Sequence, residues 1–312
     1  MSYSTSFRNI AVIILNYNTP TMTLKAVQHL RSFDTELQII VVDNCSTDDS
    51  KDILQNTLAE EPCVHFVLSA TNLGYANGNN IGINYAKGLA DIEYIVIMNP
   101  DVIVDIGVLA EMKDTLAQNG EIGQITAETY YNGSYRIPND CAWRLPTLRQ
   151  LLMFSTLLGY IFHGICKLLG ICYNVYDAYY PNHYQNKAIA YVEVVQGCFF
   201  MCKLTTMLNI GMLDDATFLY YEENILGAKI QAQHMRNAVL VGRYLQHNHQ
   251  EKDKSLLKAD NKIFHMTCLH NSRKHYIKQY LQCSFVLKKL LLGILDIDFE
   301  IRKLGVKLLL KN

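Results

Sequence analysis

The chain has 312 residues, half of them hydrophobic and 18% charged, with a formal net charge of -1. That is enough for one large α/β domain with a small appendage, and the charge balance gives no global field that would point to nucleic acid. Nine cysteines are scattered without a C-x-x-C pair, which fits reduced thiols in a cytosolic protein and neither a disulfide framework nor a zinc site.

The N-terminal residues MSYSTSFRN have no apolar core and no cleavage pattern, so no signal peptide is expected. Residues 9–15, NIAVIIL, read as an apolar strand. Residues 21–33 follow as a helix, with Leu24, Val27, His29 and Leu30 near one face. LQIIVVD (37–43) is a second strand. Ser46 and Thr47 offer N-caps to a helix running to about 59, with Asp48 and Asp49 in its first turn. VHFVLS (64–69) is a third strand. A loop rich in glycine and asparagine then opens a helix over about 77–89. EYIVIMN (93–99) is a fourth strand, followed by a helix over about 105–118 and a fifth strand, EIGQIT (121–126). Strands alternating with helices predict a Rossmann-like α/β fold, with a mostly parallel central sheet covered by helices on both faces.

The alternation stops near residue 130. Residues 130–190 are rich in Tyr, Asn and Pro and predict an irregular insertion. Within it, QLLMFSTLLGYIFHGIC (150–166) has no charged residue, yet it is short for a membrane span and contains His163 and two glycines. A buried or interfacial helix is expected there. YVEVVQGCFFMCK (191–203) resumes the sheet pattern, and AVLVG (238–242) is a last strand. Residues 251–312 predict a helical, basic C-terminal segment. From Cys283 to Asn312, six Lys or Arg face three acids, a net of +3. Leu287, Leu290, Leu291, Ile294, Leu304 and Leu308 fall at helical spacing. An amphipathic tail on a membrane surface and a helix packed on the domain both fit this pattern.

In open α/β sheets, ligands bind beyond the carboxyl ends of the strands. Polar side chains stand at four successive strand exits: Asn16, Tyr17 and Asn18; Asp43, Asn44 and Ser46; Asn72, Asn77 and Asn80; Asn99 and Asp101. Four in succession point to a site that reads a polar ligand. The glycines of NLGYANGNNIG are spaced G-x-x-x-G-x-x-x-G and follow the third strand, which argues against a dinucleotide fingerprint. No P-loop, H-E-x-x-H or G-x-S-x-G occurs.

Five segments in order, VVDNCSTDDS, NLGYANGNNIGI, MNPDV, VQGCFFM and FLYYEEN, resemble the successive motifs of family-2 inverting glycosyltransferases. The match runs over about residues 9–250. It is strongest to bacterial enzymes that build O-antigen, capsule or exopolysaccharide, rhamnosyltransferases among them. The resemblance implies a GT-A fold over residues 1–250, a nucleoside-diphosphate sugar donor (dTDP- or UDP-linked), a divalent metal (Mn²⁺ or Mg²⁺), and a saccharide or lipid-linked acceptor. It implies a cytoplasmic protein, peripheral at the inner face of the cell membrane, and no nucleic-acid partner.

By the same resemblance, Asp43 would accept a hydrogen bond from a pyrimidine base, with Asn16 and Tyr17 lining the nucleoside pocket. Asn72, Gly74, Gly78 and Asn80 match the nucleotide-side loop. Asn99 and Asp101 occupy the first and last positions of a D-x-D-like element, Asp101 as metal ligand; a carboxylate oxygen suits a hard cation bridging a diphosphate. Glu222 and Glu223 match the acidic pair, with Glu223 as general base and Glu222 orienting the site. Gly197 matches the small residue beside the donor sugar, and His247 or His249 would complete the metal shell. One departure stands out: where the family often reads E-D-x-D-L, this chain reads Glu222-Glu223-Asn224-Ile225-Leu226, without the acid at 225. Trp143 could stack on a sugar or fill the core. A sugar-nucleotide pyrophosphorylase is the rival enzyme, but NYNTPT lacks the glycine- and lysine/arginine-rich loop it would want after strand one. A non-catalytic glycan-binding subunit is the rival of another class, and the presence of Asp101, Glu222 and Glu223 argues against it.

Overall fold

A computed structural model describes residues 7–33, 36–135, 141–170, 188–248 and 259–309. The strands are β1 (Ile10–Asn16), β2 (Gln38–Asp43), β3 (Val64–Leu68), β4 (Tyr94–Met98), β5 (Val102–Val104), β6 (Ile122–Tyr131), β7 (Ser134–Tyr135), β8 (Ala142–Trp143), β9 (Ile189–Val192), β10 (Val194–Val195), β11 (Phe199–Lys203) and β12 (Arg236–His247). The helices are α1 (Pro20–Arg31), α2 (Ser50–Leu58), α3 (Tyr75–Gly88), α4 (Ile106–Gln118), α5 (Leu148–Ser155), α6 (Leu157–Leu168), α7 (Leu204–Asn209), α8 (Glu222–Ala232), α9 (Ala259–Gln279) and α10 (Phe285–Leu309).

The main sheet runs in the order β3-β2-β1-β4-β11-β6-β12-β5. Its first four strands are parallel, β11 lies antiparallel between β4 and β6, and β12 is parallel to β6. Alternate residues of β1 feed opposite faces: Ile10, Val12 and Ile14 join one core cluster, Ala11 and Ile13 the other. A strand buried on both faces needs apolar residues at every position, which is why these strands read as unbroken hydrophobic runs.

Several boundaries differ from expectation for local reasons. The helix expected from 47 starts at Ser50. The Ser46 hydroxyl donates to Asp43 Oδ2, and Thr47 Oγ1 accepts from Asn18 Nδ2–H, so both side chains are engaged elsewhere than at the helix start. The apolar run 150–166 forms two helices, not one. The Thr156 hydroxyl donates to Leu152 O and accepts from Gly159 N–H, ending α5 and starting α6. A β-carbon at Gly159 would stand 2.3 Å from Leu152 O, so only glycine permits this tight junction. The expected strand 191–203 is three strands, β9 pairing with β12, β10 with β8, and β11 with β4 and β6.

The C-terminal helices form part of the folded body. Leu151 of α5, Ile225 of α8, Tyr276 and Ile277 of α9, and Leu291 and Leu295 of α10 share one apolar cluster. Residues 211–221, the segment leading into α8, are held by α9. Ser272 Oγ–H donates to Leu219 O, and His275 Nε2 lies 2.8 Å from Asp214 Oδ2. Burial works against ionisation of Asp214, but hydrogen bonds from Tyr280 and His275 hold its carboxyl below the usual range.

Candidate active site

The site lies at the carboxyl ends of the parallel strands. Asn16 and Asp43 end neighbouring strands in register, and both side chains are fully buried. Asn16 Nδ2–H donates to Asp43 Oδ2 at 2.8 Å, and Ser46 donates to the same carboxylate through both its backbone N–H (3.0 Å) and its hydroxyl (2.6 Å). Thr23 Oγ–H holds the other end of the Asn16 amide at 2.8 Å. Asp43 therefore closes an Asx turn whose oxygens are already engaged by protein donors. Tyr17, one residue past β1, is 44% exposed and forms the open edge of this corner.

The loop after β3 is built against residues 211–221. Asn72 Oδ1 accepts from Gly74 N–H and from Asn44 Nδ2–H. Gly74 has φ +98°, and a β-carbon there would meet Phe218 O at 2.1 Å; Tyr75 N–H donates to that same carbonyl. Gly78 and Asn80, expected in the loop itself, lie inside α3 and face the protein. A β-carbon at Gly78 would stand 2.5 Å from Leu15 Cδ1, so this glycine lets α3 approach β1. The Asn80 amide accepts from Leu213 N–H and donates to Leu213 O, pinning residues 211–217.

Asn99, Pro100 and Asp101 form the turn between β4 and β5. Asn99 N–H donates to Cys198 O at 2.8 Å, and its Oδ1 lies 3.4 Å from the Tyr75 hydroxyl, which also donates to Gly197 O at 2.7 Å. Tyr75 was not singled out from the sequence, although an aromatic residue inside a glycine-rich loop is a signal for such a bridge. Antiparallel pairing of β5 with β12 sets His247 opposite Val102. Asn248 N–H donates to Asp101 O, and His247 Nε2 comes within 3.3 Å of Asp101 Oδ2. The structure thus brings together the expected carboxylate and the first of the two expected histidines; His249 lies outside the described residues. A carboxylate and an imidazole converging at the sheet edge would fit a divalent cation such as Mn²⁺, the carboxylate oxygen being the donor that Mg²⁺ also accepts. Among the described residues, no group of three His, Cys, Asp or Glu side chains is placed to hold a metal by protein ligands alone.

Opposite this pair, α8 begins at Glu222. The two residues before it, Tyr220 and Tyr221, both adopt left-handed backbone, φ 75° and 69°. Consecutive non-glycine residues in that region are strained and persist only where their surroundings enforce them. Here Arg273 Nε–H donates to the Tyr221 hydroxyl, and Tyr220 is bonded to His265. Burial, and then the charge of Glu223, raise the Glu222 carboxyl to about 8, and Glu222 Oε1 is buried without a hydrogen-bond partner. Burial also raises Glu223, against the opposing effect of a backbone hydrogen bond from Gly197. Asn224, the next residue, accepts from Trp143 Nε1–H at 2.8 Å, so Trp143 is half-buried and oriented beside the acidic pair. Burial, with Asp101 and then Glu223 behind it, pushes the Cys198 thiol well above its usual range.

The fold is a mixed α/β sheet with a carboxylate–imidazole pair at its edge and an acidic pair at the start of a helix. Residues 11–176, just over half of the chain, match the model of glycosyl transferase family 2, and the chain belongs to that family. It is 26% identical over 220 residues to the low-salt glycan biosynthesis hexosyltransferase Agl10 of Haloferax volcanii, covering 70% of this chain and 60% of that protein. It is 29% identical over 94 residues to the GalNAc(5)-diNAcBac-PP-undecaprenol beta-1,3-glucosyltransferase of Campylobacter jejuni, covering 30% and 29%. The matched stretches thus span less than two thirds of these relatives' own lengths. The mannosyltransferase PcManGT of Pyrobaculum calidifontis, solved in complex with GDP-Man and Mn²⁺, superposes with TM-score 0.55 at 14% identity over 96% of this chain and 72% of that one, a likeness of fold and confirmation of the GT-A architecture.

Proposed function

We propose that this protein transfers a sugar from a dTDP- or UDP-linked donor to a lipid-linked saccharide acceptor, with inversion, in the assembly of a bacterial surface polysaccharide such as O-antigen or capsule. The observation that carries the reading is the placing of the Asp101–His247 pair at the sheet edge and of the Glu223 carboxylate against Gly197, next to the Cys198 thiol on which both Asp101 and Glu223 act. The nucleoside would rest in the corner formed by Asn16, Tyr17, Asp43 and Asn72.

Asp101 and His247 would hold a divalent cation, which when bound offsets the negative charge developing on the departing nucleoside diphosphate. Glu223 takes the proton of the acceptor hydroxyl as that oxygen bonds to the anomeric carbon. The bond from that carbon to the diphosphate oxygen breaks, and its electron pair leaves with the nucleoside diphosphate. Glu222 stays in its protonated form near neutral pH and spares Glu223 a second adjacent charge. Trp143 and Asn224 flank the acceptor side.

Supporting this reading are the relative whose name carries an undecaprenol-pyrophosphate acceptor and the fold neighbour bound to GDP-Man and Mn²⁺. A cytoplasmic place at the inner face of the membrane follows from such an acceptor; no helix among the described residues is long and apolar enough to cross a bilayer. The test is a panel of nucleotide sugars scored for Mn²⁺-dependent thermal stabilisation. A dTDP- or UDP-sugar should stabilise the fold, and the reading fails if none does.

A further inference from the structure

Two helices far apart in sequence meet at the first turn of α6, and both carry exposed apolar side chains. Asp298 of α10 accepts from the backbone N–H of Leu157 at the start of α6, and the Arg302 guanidinium stands 5.4 Å over the Tyr160 ring. The inner face of α10 is buried through Leu291, Leu295 and Val306. Its outer face repeats at alternating spacings of three and four: Leu287, Leu290, Ile294, Ile297, Ile301, Leu304 and then Leu308, each 41–66% exposed. On α6, Leu158 is 74% exposed and Leu168 is 88%, with Ile161, Phe162 and Ile165 about half exposed. Exposed apolar side chains in this number on two touching helices mark an interaction surface.

Charge decides what covers it. The acids of α10 are each neutralised within the protein: Asp296 by Lys274 (2.6 Å), Asp298 by Arg302 (2.7 Å) and Glu300 by Lys303 (3.5 Å). Lys288 turns inward and donates to Lys278 O of α9, whereas Lys289 and Lys307 have no carboxylate partner among the described residues and leave a positive rim on the apolar stripe. A second copy pairing through the three-four repeat would cover only α10, leaving α6 bare. At the flanking positions of the repeat, Glu300 is already engaged by Lys303 and Asp298 by Arg302, so Lys307 has no free acid to meet across a helix pair. A flat, anionic surface covers both helices at once.

We propose that α6 and α10 together form a docking face that lies in the plane of an anionic lipid bilayer, apolar side chains in the acyl boundary and lysines at the headgroups. The inference deepens the reading above, since it gives the lipid-linked acceptor its route. Leu151 of α5 and Ile225 of α8 share the core cluster that seats α10, so the docked face is rigidly tied to the helix that carries Glu222 and Glu223. Docking sets the height of the acidic pair above the membrane.

The full-length protein is to be floated with vesicles of phosphatidylglycerol and phosphatidylcholine, or of phosphatidylcholine alone, at low and high salt. Binding to the anionic vesicles is expected, weakened by salt. Leu158→Ser and Ile297→Ser should each reduce it about tenfold or more, and Lys289→Ala with Lys307→Ala should reduce it by roughly 5-fold per lysine. Circular dichroism and the nucleotide-dependent thermal shift should be unchanged in all these variants, which separates lost docking from lost folding. No vesicle binding by the wild type overturns the proposal, as does a concentration-dependent dimer in sedimentation velocity that Leu158→Ser and Ile297→Ser dissociate. Vesicle binding without any nucleotide stabilisation would sink the transferase reading and leave the docking face standing.

Discussion

The carboxylate of Glu223 lies directly over the backbone of Gly197: a β-carbon at position 197 would stand 2.7 Å from Oε1. This one relationship joins the turn between β10 and β11 to the helix that carries the candidate base, and it explains why the position is glycine. Gly197→Ala is expected to push the carboxylate aside without unfolding the domain. Turnover should fall by about 100-fold, the cost of displacing a reacting group by roughly an ångström, with the donor KM little changed. Steady-state kinetics beside a thermal melt would check it.

Glu223→Gln removes the proton acceptor but keeps the shape of the side chain. Turnover should fall by about 10²–10⁴-fold, while nucleotide-dependent stabilisation persists. Turnover at the wild-type rate would reassign the base.

Glu222→Gln acts through pH. The folded-state carboxyl is raised to about 8 from an ordinary 4.5, so the folded protein holds its proton where the unfolded chain has lost it. The burial penalty is absent below about 4.5, grows through this window and is fully present above 8. The variant should therefore match wild type in acid and gain stability as pH rises. Because Glu222 is still uncharged while Glu223 ionises, the acid limb of the pH–rate profile should stay in place. Melting curves and kcat measured across pH 4 to 9 separate the two effects.

Asp101→Asn and His247→Ala should each weaken Mn²⁺-dependent stabilisation by the donor nucleotide. The shift expected of wild type is on the order of 5 °C at a hundredfold excess over Kd. If both variants keep the full metal-dependent shift, the ion is held elsewhere.

Gly74→Ala tests the loop. The new β-carbon would sit 2.1 Å from Phe218 O, on a residue with φ +98°. Backbone strain of about 1–3 kcal/mol is expected, with residues 211–221 displaced and turnover reduced along with the melting temperature. An unchanged melt would mean the loop relaxes freely.

β1, β2 and β4 were legible because each is buried on both faces, so burial wrote itself into apolar runs; β3, the half-buried edge strand, still reads as apolar apart from His65. The polar strand exits were legible for the converse reason: Asn16, Asp43, Asn72 and Asp101 interrupt those runs. Helix starts were less so, because Ser46 and Thr47 carry the chemistry of caps but spend it on Asp43 and Asn18. The glycines of α3 also misled: Gly78 accommodates Leu15 of β1, a packing demand that local sequence does not express.

The sequence alone determined the element order, the two-faced core and the residue types that collect at the sheet edge, since all three follow from local periodicity and polarity. Only the tertiary structure decided which of those residues meet. His247 reaches Asp101 because β12 pairs antiparallel with β5 in one register, and a slip of one residue would point it to the opposite face. Glu223 reaches Gly197 because α9 holds two tyrosines in left-handed backbone before α8. Such contacts between distant segments rest on register and packing, and no local pattern records them.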